Sequence, residues 1–343
     1  MLHSELLTIS VSSSTPTSET ATETPHEEVT VEILHSSASA ASNATPTLVL
    51  FLPFWGGSAS TFNQLLPPLA STNKSDENAT ITCLSLSYPG TAASPHPTPE
   101  HDAPEQHSIV SRAKVVEQVL RSKKVVEICG ATRTANDEGL PRKLKLVIVA
   151  HSMSAKITYV LLDLLASQKN TEDRLGGNVD IDVEALVLVG PAPIGPLILP
   201  PDMREQQLHA YDTVDSARWT LQNILTSRTL DEKVLHGLAA DCVNMSPGAK
   251  AGWLQCGMPF DCLEYVRRAK DAWRGLQVQV VLGREDKVES VERVQAQTVE
   301  VLRRYGFEVR ETVVEGCGHL LPVEAVAEMV EVVRDVLRSE HEK

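Results

Sequence analysis

Short, almost wholly apolar runs alternate along this chain with longer stretches that are apolar on one side only. Leu48-Val-Leu-Phe-Leu52, Leu144-Lys-Leu-Val-Ile-Val149 and Val183-Glu-Ala-Leu-Val-Leu-Val189 have the length and composition of strands buried on both faces. Ile81–Leu86, Leu276–Leu282 and Val309–Val314 predict further strands. Val29-Thr-Val-Glu-Ile-Leu34 alternates apolar and polar residues, as a half-buried strand does. Leu6–Val11 could pair with it as an edge hairpin closed by a long loop. Between the strands the period becomes helical. Ile157, Val160, Leu161, Leu164 and Leu165 fall on one helix face, and Ile109–Val126, Val288–Arg304 and Val323–Arg338 read the same way. Strands alternating with helices predict an α/β fold, a mostly parallel sheet covered by helices on both faces.

That alternation stops at residues 196–272. This stretch has helical pieces, Pro200-Pro201 and the aromatics Tyr211, Trp219, Trp253, Phe260, Tyr265 and Trp273. It reads as a helical cap inserted after a strand. The chain then divides into an N-terminal strand with a Ser/Thr-rich segment (1–28), a first core part (29–195), the cap (196–272) and a second core part (273–343). Residues 12–28 carry little to bury and predict a mobile loop.

Composition narrows the function. Among 343 residues, Lys and Arg number 31 against 45 Asp and Glu, a net charge of −14. Such a chain is a poor ligand for nucleic acid and is repelled by anionic membranes. No apolar run reaches the ~18–20 residues of a membrane span. The first residues lack the charged and apolar regions of a secretory leader. Six cysteines without a Cys-x-x-Cys pair predict reduced thiols in a cytoplasmic protein. His96, His101 and His107 match no metal-ligand spacing, and no phosphate-binding glycine pattern follows a strand. Neither metal nor cofactor is expected, and the expected partner is a small-molecule substrate.

The candidate chemistry begins at Val147-Ile-Val-Ala-His-Ser-Met-Ser-Ala-Lys156. A buried strand runs directly into a helix, with Ser152 at the corner. A nucleophile there has strained backbone angles, so residues two before and two after must be small. The usual pattern is G-x-S-x-G; Ala150 and Ser154 replace both glycines and are small enough. The backbone N–H of Met153, at the start of the helix, is placed to stabilise an oxyanion.

From these residues the chain resembles the α/β-hydrolase family over nearly all of 29–338. The resemblance implies an eight-stranded, mostly parallel sheet and a triad in the order Ser, Asp or Glu, His. Asp286, in Gly283-Arg-Glu-Asp286, follows a strand where the family places its acid, with Glu285 and Glu289 as competitors. His319, in Gly316-Cys-Gly-His319-Leu-Leu-Pro-Val-Glu324, follows the last strand and matches the family's G-x-G-H-x-x-x-x-E pattern. The family's His-Gly-x oxyanion loop corresponds here to Pro53-Phe54-Trp55, which makes the Trp55 N–H the second donor and the Phe54 N–H its alternative. Phe54, Tyr88, Trp219 and Trp253 are candidate pocket residues, and His151 a packing residue.

A Ser hydroxyl needs a base, an imidazole supplies one near neutral pH, and a carboxylate fixes its tautomer. The expectation is a cofactor-independent serine hydrolase that cleaves a small to medium, mainly apolar carboxylic ester through an acyl-enzyme on Ser152. The alternatives are thioester, amide or carbon–carbon hydrolysis, acyl transfer, a peroxidase side activity, or a non-catalytic ligand-binding protein of the same fold.

Overall fold

The computed structural model describes residues 1–12, 26–37, 45–70, 81–130, 142–169 and 179–341. These form eight strands: β1 (His3–Ser12), β2 (His26–Ser37), β3 (Thr47–Leu52), β4 (Ile81–Ser87), β5 (Arg142–His151), β6 (Val179–Val189), β7 (Gln277–Gly283) and β8 (Glu308–Val314). They make one sheet in the order β1-β2-β4-β3-β5-β6-β7-β8. β2 is antiparallel to both its neighbours, and the pairings from β4 through β3 and β5 to β8 are parallel. The predicted hairpin is present, with Ile9 opposite Val29. Most of its expected loop lies outside the described residues.

The two-residue period of each strand divides the core. Leu48, Leu50, Leu52, Leu146 and Ile148 face one cluster; Val49, Phe51, Val147 and Val149 face the other. In β6 the parity changes. Val179, Ile181 and Val183 share a core with Leu186 and Leu188. A register shift against β5 between Leu146 and Val147 absorbs the extra residue and keeps both halves of the strand facing the same side.

One face carries α2 (Ile109–Arg121), α3 (Lys123–Ile128) and α4 (Ser154–Lys169), with α10 (Val291–Val294) and α11 (Glu300–Arg304). The other carries α1 (Leu66–Ala70), α12 (Leu321–Glu324) and α13 (Val326–His341). The helix expected over 109–126 is broken. Ser122 has an extended backbone, and its hydroxyl accepts from the Val125 N–H, 3.2 Å away, so it caps a new helix instead of continuing the old one. Between β6 and β7 come α5 (Pro201–His209), α6 (Val214–Thr220), α7 (Glu232–Val243), α8 (Pro247–Gly252) and α9 (Leu263–Ala269).

The two ends of this helical segment are joined over α4. Leu197 N–H donates to the Met258 carbonyl and Cys262 N–H to that of Ile194, each at 2.8 Å. The ammonium of Lys156, fully buried on α4, donates to the carbonyls of Gly195, Phe260 and Met258 at 2.8, 2.5 and 3.4 Å. Three N–H groups thus meet three acceptors, which is what a buried ammonium requires.

Candidate active site

β5 ends at His151, α4 begins at Ser154, and Ser152 occupies the turn with φ of +54°. Such a backbone costs a non-glycine residue about 1–3 kcal/mol and survives only where its surroundings hold it. Here Ser152 N–H donates to the Val189 carbonyl at 2.9 Å, and its own carbonyl accepts from Ala155 and Ala192 at 3.0 and 3.2 Å. Ala150 and Ser154 are both fully buried around the turn.

His319 follows β8 in a loop pressed against the end of β7. A Cβ on Gly283 would lie 2.1 Å from the Gly318 carbonyl oxygen, so only glycine permits this approach. The result is a 2.7 Å hydrogen bond from His319 Nδ1 to Asp286 Oδ2, with both side chains buried. Asp286 Oδ1 accepts from the N–H groups of Val288 and Glu289 at 2.7 and 2.9 Å, which fixes the carboxylate. Nδ1 is therefore the protonated nitrogen, and Nε2 is left free to accept. Burial alone would lower the His319 pKa. The Asp286 carboxylate and its hydrogen bond, helped by Glu289 and Glu324, more than offset this and leave it raised.

Of the three acids weighed from sequence, Asp286 alone is hydrogen-bonded to His319. Glu285 is exposed and turns its N–H to the Cys317 carbonyl. Glu289 is buried, pairs with Arg293 at 3.0 Å, and is pushed up to about 7 by burial. His151 donates through Nε2 to the His319 carbonyl at 2.9 Å, and burial holds its pKa well below the usual imidazole value. It supports the loop as a neutral ring.

Glu324 was present in the sequence motif without a role. Its carboxylate accepts from Ser227 at 2.6 Å, Arg228 at 2.9 Å, and Gly318 and Leu320 at 3.2 Å. One side chain thus ties the His319 loop to the helical segment. Its spacing from His319 was the available signal.

Ser152, His319, Phe54, Trp55 and Trp253 line a cavity of about 130 Å³. Leu197, Leu199, Met203, Tyr211 and Ile224, from the segment between β6 and β7, supply much of its apolar wall. Gln206, Gln207, Thr220, Lys287 and Glu289 are its further polar neighbours. A larger cavity of about 500 Å³ lies between the β1–β2 hairpin and the 95–107 loop. It includes neither Ser152 nor His319, so size does not choose between the two.

Two expected pocket residues stand elsewhere. Tyr88 is fully buried behind the elbow, its hydroxyl 2.9 Å from Ser154 Oγ. Trp219 is 51% exposed on α6, whose buried side carries Ala217 and Thr220 instead. Among the described residues, the N–H groups of Phe54, Trp55 and Met153 donate to no protein acceptor, which leaves Met153 and both loop alternatives able to donate to a ligand.

The alpha/beta hydrolase family model matches residues 49–332. Among curated proteins, none matches the chain in sequence. Among solved structures it is similar to a bromoperoxidase from Bacillus anthracis at 13% identity and TM-score 0.63, over 90% of this chain and 96% of that one. An esterase from Exiguobacterium antarcticum is similar at 14% identity and TM-score 0.60, again over 90% and 96%. A hydrolase from Oleispira antarctica is similar at 14% identity and TM-score 0.60, over 89% and 94%. These likenesses carry the fold, and the family model spans both sides of the helical segment and every residue of the Ser152–Asp286–His319 set. The chain belongs to the alpha/beta hydrolase family.

Proposed function

We propose that this protein is a serine hydrolase of small to medium, mainly apolar carboxylic esters, with the helical segment at 196–272 acting as its cap. The observation that carries the reading is one constellation: Ser152 on a strained turn and His319 line the same cavity, and His319 is hydrogen-bonded to Asp286. In this reading His319 Nε2 takes the Ser152 proton as Oγ adds to the ester carbonyl. The oxyanion accepts from the N–H of Met153 and of Trp55 (or Phe54). Collapse breaks the bond to the alcohol oxygen, which leaves with the proton from His319. Water, deprotonated by the same imidazole, then adds to the acyl carbon, and the bond to Ser152 Oγ breaks as the imidazolium returns the proton to that oxygen, which releases the acid. Asp286 keeps the imidazole in the required tautomer and stabilises the imidazolium.

The apolar wall favours an uncharged acyl group, and the cavity's volume favours a short one. Because one triad serves several acyl-transfer reactions on this fold, the cavity bears on the charge and size of the acyl group, and the choice among ester, thioester and amide rests on the turnover test. The test is labelling with a fluorophosphonate, alongside turnover of p-nitrophenyl esters. Wild type should be labelled and active, and Ser152→Ala should lose both while melting at a similar temperature. Turnover retained in Ser152→Ala would reject the nucleophile. A folded wild type that is neither labelled nor active would favour the non-catalytic alternative.

A further inference from the structure

Two of the places where this chain departs from the family's patterns touch each other. Ser154 stands at the second glycine of the elbow pattern, and Pro53-Phe54-Trp55 stands at the His-Gly-x loop. Ser154 Oγ donates to the Pro53 carbonyl, 101 residues away in sequence. Tyr88 Oη lies 2.9 Å from the same Oγ. A hydroxyl has one proton to give, and that of Ser154 is committed to Pro53, so Tyr88 is the donor to Ser154. Both side chains are fully buried, and burial raises the Tyr88 phenol far above its ordinary pKa, so it remains a donor at any working pH.

On the other side of Tyr88, the guanidinium carbon of Arg112 sits 4.9 Å from the ring centroid, and one of its nitrogens lies 3.5 Å from Met153 Sδ. A buried chain of Arg112, Tyr88, Ser154 and Pro53 therefore runs beneath the elbow. It connects the residue that offers one oxyanion N–H to the residue that opens the loop offering the other.

We infer that Ser154 is a positioning residue for the oxyanion hole: its hydroxyl, oriented by Tyr88, ties the Phe54–Trp55 loop to the nucleophile elbow. The inference rests on the serine-hydrolase reading above. A glycine at 154 cannot make this tie. An oxyanion donor acts only when held within a few tenths of an ångström of the developing charge, so a loosened loop costs rate more than it costs ground-state binding.

The experiment compares Ser154→Gly, Ser154→Ala and Tyr88→Phe with wild type in p-nitrophenyl acetate turnover. It also compares inhibition by an aliphatic trifluoromethyl ketone, which adds to Ser152 and places an oxyanion in the hole, with that by the corresponding neutral alcohol. For both Ser154 variants kcat should fall about tenfold to a hundredfold with KM within about threefold. Ketone affinity should fall in parallel and alcohol affinity should hold. Tyr88→Phe should lose less in the same direction, and adding it to Ser154→Ala should cost little more. Glycine is the residue of the elbow pattern itself, so Ser154→Gly is the variant least exposed to misfolding, and a thermal melt checks it.

Retention of kcat within about twofold in Ser154→Gly, or equal loss of ketone and alcohol binding, would overturn the positioning role. If instead the wild type shows no Ser152-dependent turnover, the underlying reading of the site fails, and this inference with it.

Discussion

Ser152, Asp286 and His319 each owe their place to a few neighbours, and each neighbour sets a measurable property. The Asp286–His319 bond fixes the imidazole tautomer. Asp286→Asn should therefore lower kcat about a thousandfold or more, while Glu289→Gln should keep most of it; steady-state kinetics on the two variants decides. The raised His319 pKa gives activity and stability opposite signs. Activity needs the neutral ring, so kcat/KM should climb as pH rises through a value above the ordinary histidine pKa of ~6.5. The stability that His319 contributes is fully present below its unfolded pKa and is lost as pH rises through the folded one. Parallel pH series of kcat/KM and Tm should show the two trends crossing. Glu289, pushed up to about 7 by burial, shares the cavity and interacts with His319 electrostatically, so the midpoint belongs to both groups. Glu289→Gln should move that midpoint downward, because a negative charge near His319 is removed. The three triad candidates were legible because each sits in a short motif. Tyr88 and Trp219 were misplaced because a pocket wall is defined by what stands opposite it, and local sequence does not carry that.

Among the elements, α4 does two things. Its first turn follows Ser152 and also presents Lys156 to both ends of the segment between β6 and β7. Burial lowers the Lys156 pKa to about 8, which records the cost of hiding an ammonium. Lys156→Met would remove that cost but leave the carbonyls of Gly195 and Phe260 without a donor, while that of Met258 keeps the Leu197 N–H. The net loss should be about 2 kcal/mol, a fall of several degrees in Tm, with amides near 195 and 258–262 losing hydrogen-exchange protection first. An unchanged Tm and unchanged protection would show the staple to be dispensable. The periodicity of α4 was plain from sequence, and so were the strands. The break at Ser122 was not, because a serine that caps a helix and one that rides inside it look alike until the chain turns. The π-helical turns at Leu221–Leu225, Trp253–Gly257 and Gln295–Val299 left no periodic signal of their own either.

At the scale of the molecule, one sheet separates two apolar cores and aligns the ends of β5, β7 and β8, and the three candidate residues lie in the connections that follow these strands. Net charge also acts at this scale. At −14, the field of the whole chain should disfavour anionic esters over neutral ones of similar size. Raising salt from about 50 to 500 mM should lift kcat/KM severalfold for an ester bearing a free carboxylate and leave a neutral ester nearly unchanged. A fall in kcat/KM for the anionic ester as salt rises would show that Lys287, at the cavity, outweighs the global field.

The sequence by itself determined what depends on near neighbours. The two-residue and helical periods set the order of strands and helices, and the small residues around Ser152 allowed its turn. The motifs around His319 and Asp286 named the candidates. Tertiary structure alone decided what depends on residues far apart. It made Asp286 the partner of His319 and turned Glu285 outward. It brought Ser154 to Pro53 and Lys156 to Phe260, 101 and 104 residues apart, and assembled the cavity wall from separate segments. The physical reason is range. Backbone sterics and periodicity act over a few residues of chain, whereas a buried hydrogen bond forms wherever folding places a donor beside an acceptor out of water's reach.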